Sequence, residues 1–466
     1  MSHKTLVGGT AYNITGGKTL VGGTAYNITG GKTLVGGTGY NIGFKKEPYA
    51  MYYSDGSMIF QYGSSVESGK SLTSSYNGFV GKSYSGGRSV PWNAYMKSIK
   101  NVLFKHDINL KNSIKHWFND CTNLTYINFN GISLNYINSL MRTFYNCTNL
   151  KSSPVCGPNV IDFTWAYYNC QNLTGSPVCG ENVTNMYRTY YNCQNIKGSP
   201  VCGNNVTTMS DAYFNCLNLT GSPVCGNKVT AMNYTYQNCR NLTGSPVCGN
   251  NVVNMYFAYR NCINLTGQPV CGDKVKDMSN AYQNCTNLTG SPVCGNNVTT
   301  MFSTYYNCTN IKGNPVCGNN VTNMSYAYAF CKNLTGAPVC GENVTNMSDA
   351  YSSCYNMKGP AICGNKVVDM SFAYSYCNFE GNAYFYSNNV NNVNGCFFNK
   401  NNSKRINVYV HSGSQTMNYC LINNTKSIVK NIITWTNSGN YHYNAKYNIY
   451  IYPVANVAAS RAANGD

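Results

Sequence analysis

The sequence predicts an α+β repeat solenoid, and three observations carry that prediction. Eleven cysteines, from Cys147 through Cys170 and Cys193 to Cys377, follow one another at intervals of 23 residues. A second cysteine column runs from Cys156 through Cys179 to Cys363 on the same interval. Apolar columns keep step with both: Leu150, Leu173 and Leu219, with Ile196, Ile311 and Met357 substituting; Val160 and Val183 onward to Val367; Phe163 and Met186 onward to Met370; Tyr167 and Tyr190 onward to Tyr374. A period of roughly 20–50 residues marks units that bury their apolar faces only by stacking on one another.

Residues 1–44 hold a different repeat, in which KTLVGGTAYNITGG begins at Lys4 and again at Lys18, and a variant begins at Lys32. Each copy has two short β-type runs split by Gly-Gly, so each reads as a small hairpin, and the segment as an attachment or oligomerisation element. Residues 45–120 lose the beat. Met51–Phe60, with Asp55-Gly56 at its centre, predicts a strand–turn–strand. The Gly- and Ser-rich stretch 63–88 predicts a long loop, and Ile99–Phe104 with Trp117-Phe118 builds an N-terminal cap.

The array is expected over residues 121–380. Within a coil, Met186 precedes Tyr190 by four residues and Tyr190 precedes Cys193 by three, a spacing that fits a short helical or 3₁₀ piece. The Leu-to-Val stretch, punctuated by Pro and Gly, fits one short strand with tight turns. In residues 381–466 the runs Ile406–Val410, Ile432–Trp435 and Tyr447–Tyr452 alternate at period two and predict a C-terminal β cap, with Ala455–Asp466 frayed.

Composition narrows the function. The chain carries 33 basic and 15 acidic residues, a formal charge of +18, which favours anionic partners. The excess is spread thinly rather than gathered in a stripe, so nucleic acid is not expected. No run approaches the roughly 18 apolar residues of a membrane helix, so membrane insertion is not expected. Met1–Gly9 lacks a signal-peptide apolar run, which leads to the expectation of synthesis and folding in a cytosol. In that setting the 24 cysteines are expected to serve as small buried hydrophobes rather than disulfides or metal ligands, since no pair has C-x-x-C spacing. The Cys170 column is the firmer core assignment. The Cys179 column is expected outward or in a turn, because adjacent residues of an extended segment face opposite ways. The five histidines are scattered without acidic partners, so no catalytic residues, cofactor or metal site are expected. The abundant asparagines are expected to bond their own backbone at turns.

The unit carried by Val183, Met186, Tyr190, Cys193 and Ile196 resembles the BspA-like, or Treponema pallidum type, leucine-rich repeat, with Tyr where that family usually has Phe. Trp117-Phe118-Asn119-Asp120-Cys121-Thr122-Asn123-Leu124 resembles the family's first coil, so the likeness spans roughly residues 95–380. The N-terminal repeats resemble glycine-rich repeats of phage tail-associated proteins. Together these resemblances imply a non-enzymatic virion protein, tail- or fibre-associated, with two alternatives: a BspA-like bacterial surface adhesin, or a purely architectural decoration protein. Residues 4–44 would bind other virion proteins, the chain would form homo-oligomers, and the array would engage a host-surface glycan or protein.

A solenoid presents one residue per coil at each outward position, giving a long regular surface. Candidate ligand-binding residues are Tyr168, Tyr191, Phe214, Arg260 and Tyr306, two before the column cysteines, and Tyr187, Tyr234, Tyr256, Phe257, Phe302 and Tyr326 just upstream. Exposed aromatics with a basic residue suit sugars or another protein. The competing reading is that these rings only cover neighbouring coils.

Overall fold

The protein is seen here as a computed structural model. It describes strands between His3 and Asn41, residues 47–398 apart from a few loop positions (81, 83, 106–107, 109, 111, 130–131 and 379–380), and strands between Ile406 and Pro453. Ala455–Asp466 lies outside the described residues.

Each N-terminal repeat is one antiparallel hairpin: β1 (His3–Val7) with β2 (Thr10–Ile14), β3 (Lys18–Val21) with β4 (Thr24–Asn27), and β5 (Lys32–Val35) with β6 (Thr38–Asn41). The Asp-Gly signal is also a hairpin, joining β7 (Pro48–Tyr53) to β8 (Ser57–Tyr62), with Met51 opposite Ile59. The expected loop 63–88 contains a strand, β9 (Leu72–Asn77), which pairs with β7 at a sheet edge and stays largely exposed. β10 (Asn101–Phe104) and then β12 (Tyr126–Asn128) extend this sheet in parallel. A cluster of Phe60, Phe79, Trp92, Phe104, Trp117 and Phe118 fills its inner side, with ring centroids 4.5–6.5 Å apart. The sheet hands over to the coils by backbone bonds, Thr125 N to Lys100 O (2.8 Å) and Lys151 N to Thr125 O (2.9 Å). A short pair, β11 (Asn112–Ser113) with β13 (Ile137–Ser139), opens the next column.

From Ser139 a single parallel β-bridge per coil runs through Asp162, Asn185 and Thr208 to Asn392. The expected helical piece is corrected. No α-helix occurs among the described residues, and 3₁₀ turns appear only at Gly87–Ser89, Asn93–Ser98 and Leu134–Tyr136. The molecule is therefore a mostly-β repeat solenoid. The reason lies in alternate residues. In one coil the N–H groups of Met186, Arg188, Tyr190 and Asn192 donate to Thr208, Ser210, Ala212 and Phe214 of the next coil at 2.7–3.1 Å. Those of Thr189, Tyr191 and Cys193 close three-residue turns onto Met186, Arg188 and Tyr190. Arg188 and Asn192 sit at φ 54° and 59°, in the left-handed region, and this bends every second N–H out of the helical path. The four-then-three spacing read from the sequence is real, but the three-residue turns alternate with bonds that run between coils.

The Leu, Val, Met, Tyr and Cys columns all face inward and are fully buried through the middle of the array. The inner rings stack from Phe144 through Tyr167 and Tyr190 to Tyr374 and Phe397, with centroids 5.0–5.8 Å apart and planes within 16°. Each core thiol donates to the inner-ring residue's carbonyl of the coil before, Phe118 and Phe144 for Cys147 and Cys170 and then tyrosine, as Cys193 Sγ does to Tyr167 O at 3.0 Å and Cys216 Sγ to Tyr190 O at 3.1 Å. The Cys179 column is half-buried against the core rather than turned outward, with Cys179 Sγ 3.6 Å from Met186 Sδ. Glycine follows it because coils approach closely there: a Cβ on Gly180 would lie 2.7 Å from Gly157 O and 3.1 Å from Cys156 Sγ.

After the last regular coil, β14 (Ala361–Cys363), β15 (Gly381–Phe385), β16 (Ile406–His411), β17 (Val429–Thr436) and β19 (Ile449–Pro453) pair in parallel, with β18 (Tyr443–Asn444) antiparallel at the edge. β14, Ala361-Ile362-Cys363, stands where the earlier coils have Pro-Val-Cys, so this sheet grows directly from the array.

A candidate ligand face of aromatic and arginine side chains

Two columns of each coil take the left-handed conformation. One is Asn146, Asn169, Asn192 and their successors, at φ 58–65° up to Asn307. Asparagine tolerates that region. Its side chain also bridges coils, Asn169 Nδ2 donating to Asn146 Oδ1 at 2.7 Å and Asn192 Nδ2 to Asn169 Oδ1 at 2.6 Å. The expectation that asparagines bond their own turns is met in another column, where Asn185 Oδ1 accepts from Tyr187 N at 2.8 Å.

The other left-handed column, five residues before each core cysteine, is Arg142, Trp165, Arg188, Asp211, Tyr234, Phe257, Asn280, Ser303, Tyr326, Asp349 and Phe372, all at φ 52–59°. Large side chains at such angles each cost about 1–2 kcal/mol relative to glycine. The coil geometry needs no bulk here, since Asn280 and Ser303 occupy the same place.

Around this column the eleven sequence-predicted residues fall into three groups. In the first, Tyr168 stacks on Tyr145 (4.8 Å) and Tyr191 (4.7 Å), and Tyr191 stacks on Phe214 (4.5 Å). Trp165 lies 4.9 Å from Tyr168 and 5.6 Å from Tyr187. The Arg142 guanidinium lies 4.9 Å and that of Arg188 4.8 Å from the Trp165 ring, within cation–π range. Arg188 also donates to Asp211 at 3.4 Å, yet burial holds the Asp211 carboxyl above its usual range despite that pull. In the second group Tyr234 stacks on Phe257 (5.2 Å), Tyr256 meets Phe257 edge-on (4.2 Å), and Arg260 lies 4.9 Å from the Phe257 ring. Burial, then a bond with Tyr256, pushes the Tyr234 phenol up to about 12. In the third, Phe302 and Tyr306 approach Tyr326, and Tyr306 meets Phe330 at 5.4 Å.

The rings therefore do cover neighbouring coils, and they also form outward ledges; Phe302, Tyr326, Phe330 and Phe372 are each 36–40% exposed. The sequence reading missed Tyr145, Arg142, Trp165, Arg188 and Phe330. The free variation of the position five before each cysteine was the available signal for three of them.

A second concavity of about 600 Å³ lies along Asn182, Thr184, Asn205, Thr207 and Lys228. Its polar groups already hold coils together: Asn182 Nδ2 donates to Pro158 O (2.9 Å), Asn205 Nδ2 to Glu181 O (3.0 Å), and Lys228 Nζ to Asn205 Oδ1 (2.7 Å). Among the described residues no three His, Cys, Asp or Glu side chains converge to hold a metal ion, and no helix is long and apolar enough to cross a membrane.

A profile of the Kazal-type serine protease inhibitor domain matches residues 280–307. That segment is little more than one coil, and its two cysteines, Cys285 and Cys294, are free members of the two array columns. No curated protein matches the chain. Among solved structures the chain is similar to a leucine-rich repeat protein from Bacteroides ovatus, at 11% identity and a TM-score of 0.42, covering 83% of this chain and 98% of that one. It is also similar to a leucine-rich cell surface protein from Faecalibacterium prausnitzii, at 13% identity and a TM-score of 0.35, covering 84% and 97%. The expectation of a virion protein attached to a tail or fibre is not met in this comparison: one structure is a leucine-rich repeat protein and the other a leucine-rich cell surface protein, each from a bacterium.

Proposed function

We propose that the chain is a non-enzymatic recognition protein of a bacterial cell surface, built on a BspA-like leucine-rich repeat array. Its aromatic and arginine ledges would contact a host-surface glycan or protein. The observation that carries this reading is the left-handed column. Trp165, Tyr234, Phe257 and Tyr326 sit at backbone angles that disfavour bulk, at positions where Asn280 and Ser303 serve the coil equally well. Strain of that kind persists where the side chain does something other than stabilise the fold. Three separate ledges along one rod also suit multivalent contact, in which weak sites add through effective concentration. Residues 4–44 are assigned to attachment or self-association, since an isolated two-stranded hairpin is only marginally stable in water.

The test is binding of the full chain to fixed host epithelial cells and to immobilised extracellular-matrix proteins. Saturable binding is expected. Absence of binding to both would leave only the architectural alternative.

A further inference from the structure

We propose that the first ledge is a binding site for a linear acidic polysaccharide, its acid groups held by Arg142 and Arg188 and its hydroxyls by Tyr145, Tyr168 and Tyr191. This rests on the ledges being the recognition face, and adds the ligand class and the residues that select it.

The charge carries the first part. Arg142 has no carboxylate within 4.0 Å among the described residues, where Arg188–Asp211 is the one ion pair that involves an arginine. Arg142 Nε is buried without a hydrogen-bond partner. The guanidinium lies against the rings of Tyr145 (5.4 Å) and Trp165 (4.9 Å), which hold its plane and leave its outer N–H groups for an oxyanion. Arg188 lies against Trp165, Tyr187 and Tyr191 at 4.8–5.5 Å and bonds Asp211 through Nε, so its terminal N–H₂ groups take no part in that bond.

Spacing selects among polyanions. Arg142 and Arg188 occupy equivalent places two coils apart. Both guanidiniums lie against the Trp165 ring, 4.9 and 4.8 Å from its centroid, so the two charges are no more than about 10 Å apart. Duplex nucleic acid presents a charge roughly every 1.7 Å along its axis, far denser than this pair of cations. A chain in which charged and uncharged sugars alternate presents its acids much more sparsely.

The hydroxyls carry the third part. The inner tyrosines use both sides of their phenol oxygens within the coil, whereas Tyr145, Tyr168 and Tyr191 make no hydroxyl bond to any described residue. They form a row at 4.7–4.8 Å intervals beside the two arginines. A file of phenols able to donate and accept fits a ligand dense in hydroxyl groups.

The experiment measures binding of the full chain to immobilised hyaluronan (carboxylates alone), chondroitin sulfate (carboxylates and sulfates) and neutral dextran. Arg142→Asn removes the cation while placing a residue suited to φ 52°. Tyr168→Phe removes one hydroxyl without disturbing the ring stack. Lys228→Asn removes an equal charge from the separate groove. The parent is expected to bind one or both acidic polymers and not dextran; hyaluronan binding assigns the site to carboxylates, binding to chondroitin sulfate alone to sulfates. Arg142→Asn should lower the affinity about tenfold and Tyr168→Phe several-fold, with Lys228→Asn within twofold of the parent. Equal binding to dextran, equal losses from Arg142→Asn and Lys228→Asn, or no binding to either acidic polymer overturns the proposal. If host-cell binding persists in those cases, the recognition reading stands and only the ligand class falls.

Discussion

The hydroxyl of Tyr190 donates to Val178 O at 2.8 Å and accepts from Val178 N at 3.0 Å, closing each coil across its interior. The same pair of bonds recurs from Tyr167 with Val155 to Tyr374 with Ile362. It explains why the column is tyrosine: in the regular coils the Pro-Val-Cys stretch forms no strand, and the phenol satisfies both polar groups of its valine backbone at once.

Replacing Tyr236 by Phe should therefore leave Val224 N and O without partners while keeping the ring stack. The expected cost is about 1–3 kcal/mol. Hydrogen exchange should show the Val224 amide losing protection while neighbouring coils keep theirs; unchanged exchange would assign the column to ring packing alone.

Met255 is fully buried in mid-array. Met255→Asp should place an unpaired charge in the core and destabilise by several kcal/mol. A variant with the parent's melting curve would contradict the column assignment.

The thiols should be free and inert in the folded protein. Burial pushes Cys239 up to about 12 and Cys179 up to about 11, so neither is a thiolate near neutral pH. Iodoacetamide at pH 8 should label the native protein slowly, and under non-reducing denaturing conditions most of the 24 cysteines should react. A mass deficit of two hydrogens per repeat would instead show disulfides.

Asp211 gives a pH-dependent test. Burial raises its folded-state pKa above the ordinary 3.8, the Arg188 charge opposing this only in part. A raised folded pKa favours the protonated form in the fold, so the stability it confers is full below pH 3.8 and lost as pH rises through the folded value. Asp211→Asn, which copies Asn280 in the same column, should raise the melting temperature at pH 7, with the gain vanishing towards pH 3.5. A loss at pH 7 would mean that the bond to Arg188 outweighs desolvation.

Much of this was legible in the residues because an array aligns with itself. The buried Leu173, Val183, Met186, Tyr190 and Cys193 columns follow from periodicity alone, and the Asp55-Gly56 hairpin follows from its turn residues between two β-type runs. The helical piece was misread because a spacing of four then three also fits a ribbon of turns, and nothing in Met186–Cys193 announces that Arg188 is left-handed. Arginine, tryptophan and phenylalanine hide such a position where glycine would reveal it. Trp165 and Arg188 escaped the site reading although Tyr234, Phe257 and Tyr326 of the same column did not, because the column was not followed coil by coil. The half-buried Cys179 column was misplaced because strand alternation was assumed for a segment that forms no strand at that coil.

The central claim is that bulky residues in the left-handed column serve recognition rather than the coil. It is tested most directly by one variant, Trp165→Asn with Phe257→Asn and Tyr326→Asn, assayed for melting and for host-cell binding. Relief of backbone strain offsets part of the lost ring contact, so the melting temperature is predicted to stay within a few degrees of the parent's. Cell binding is predicted to fall at least tenfold. Unchanged binding, or a melting temperature that collapses with it, would contradict the account and make the ledges part of the scaffold.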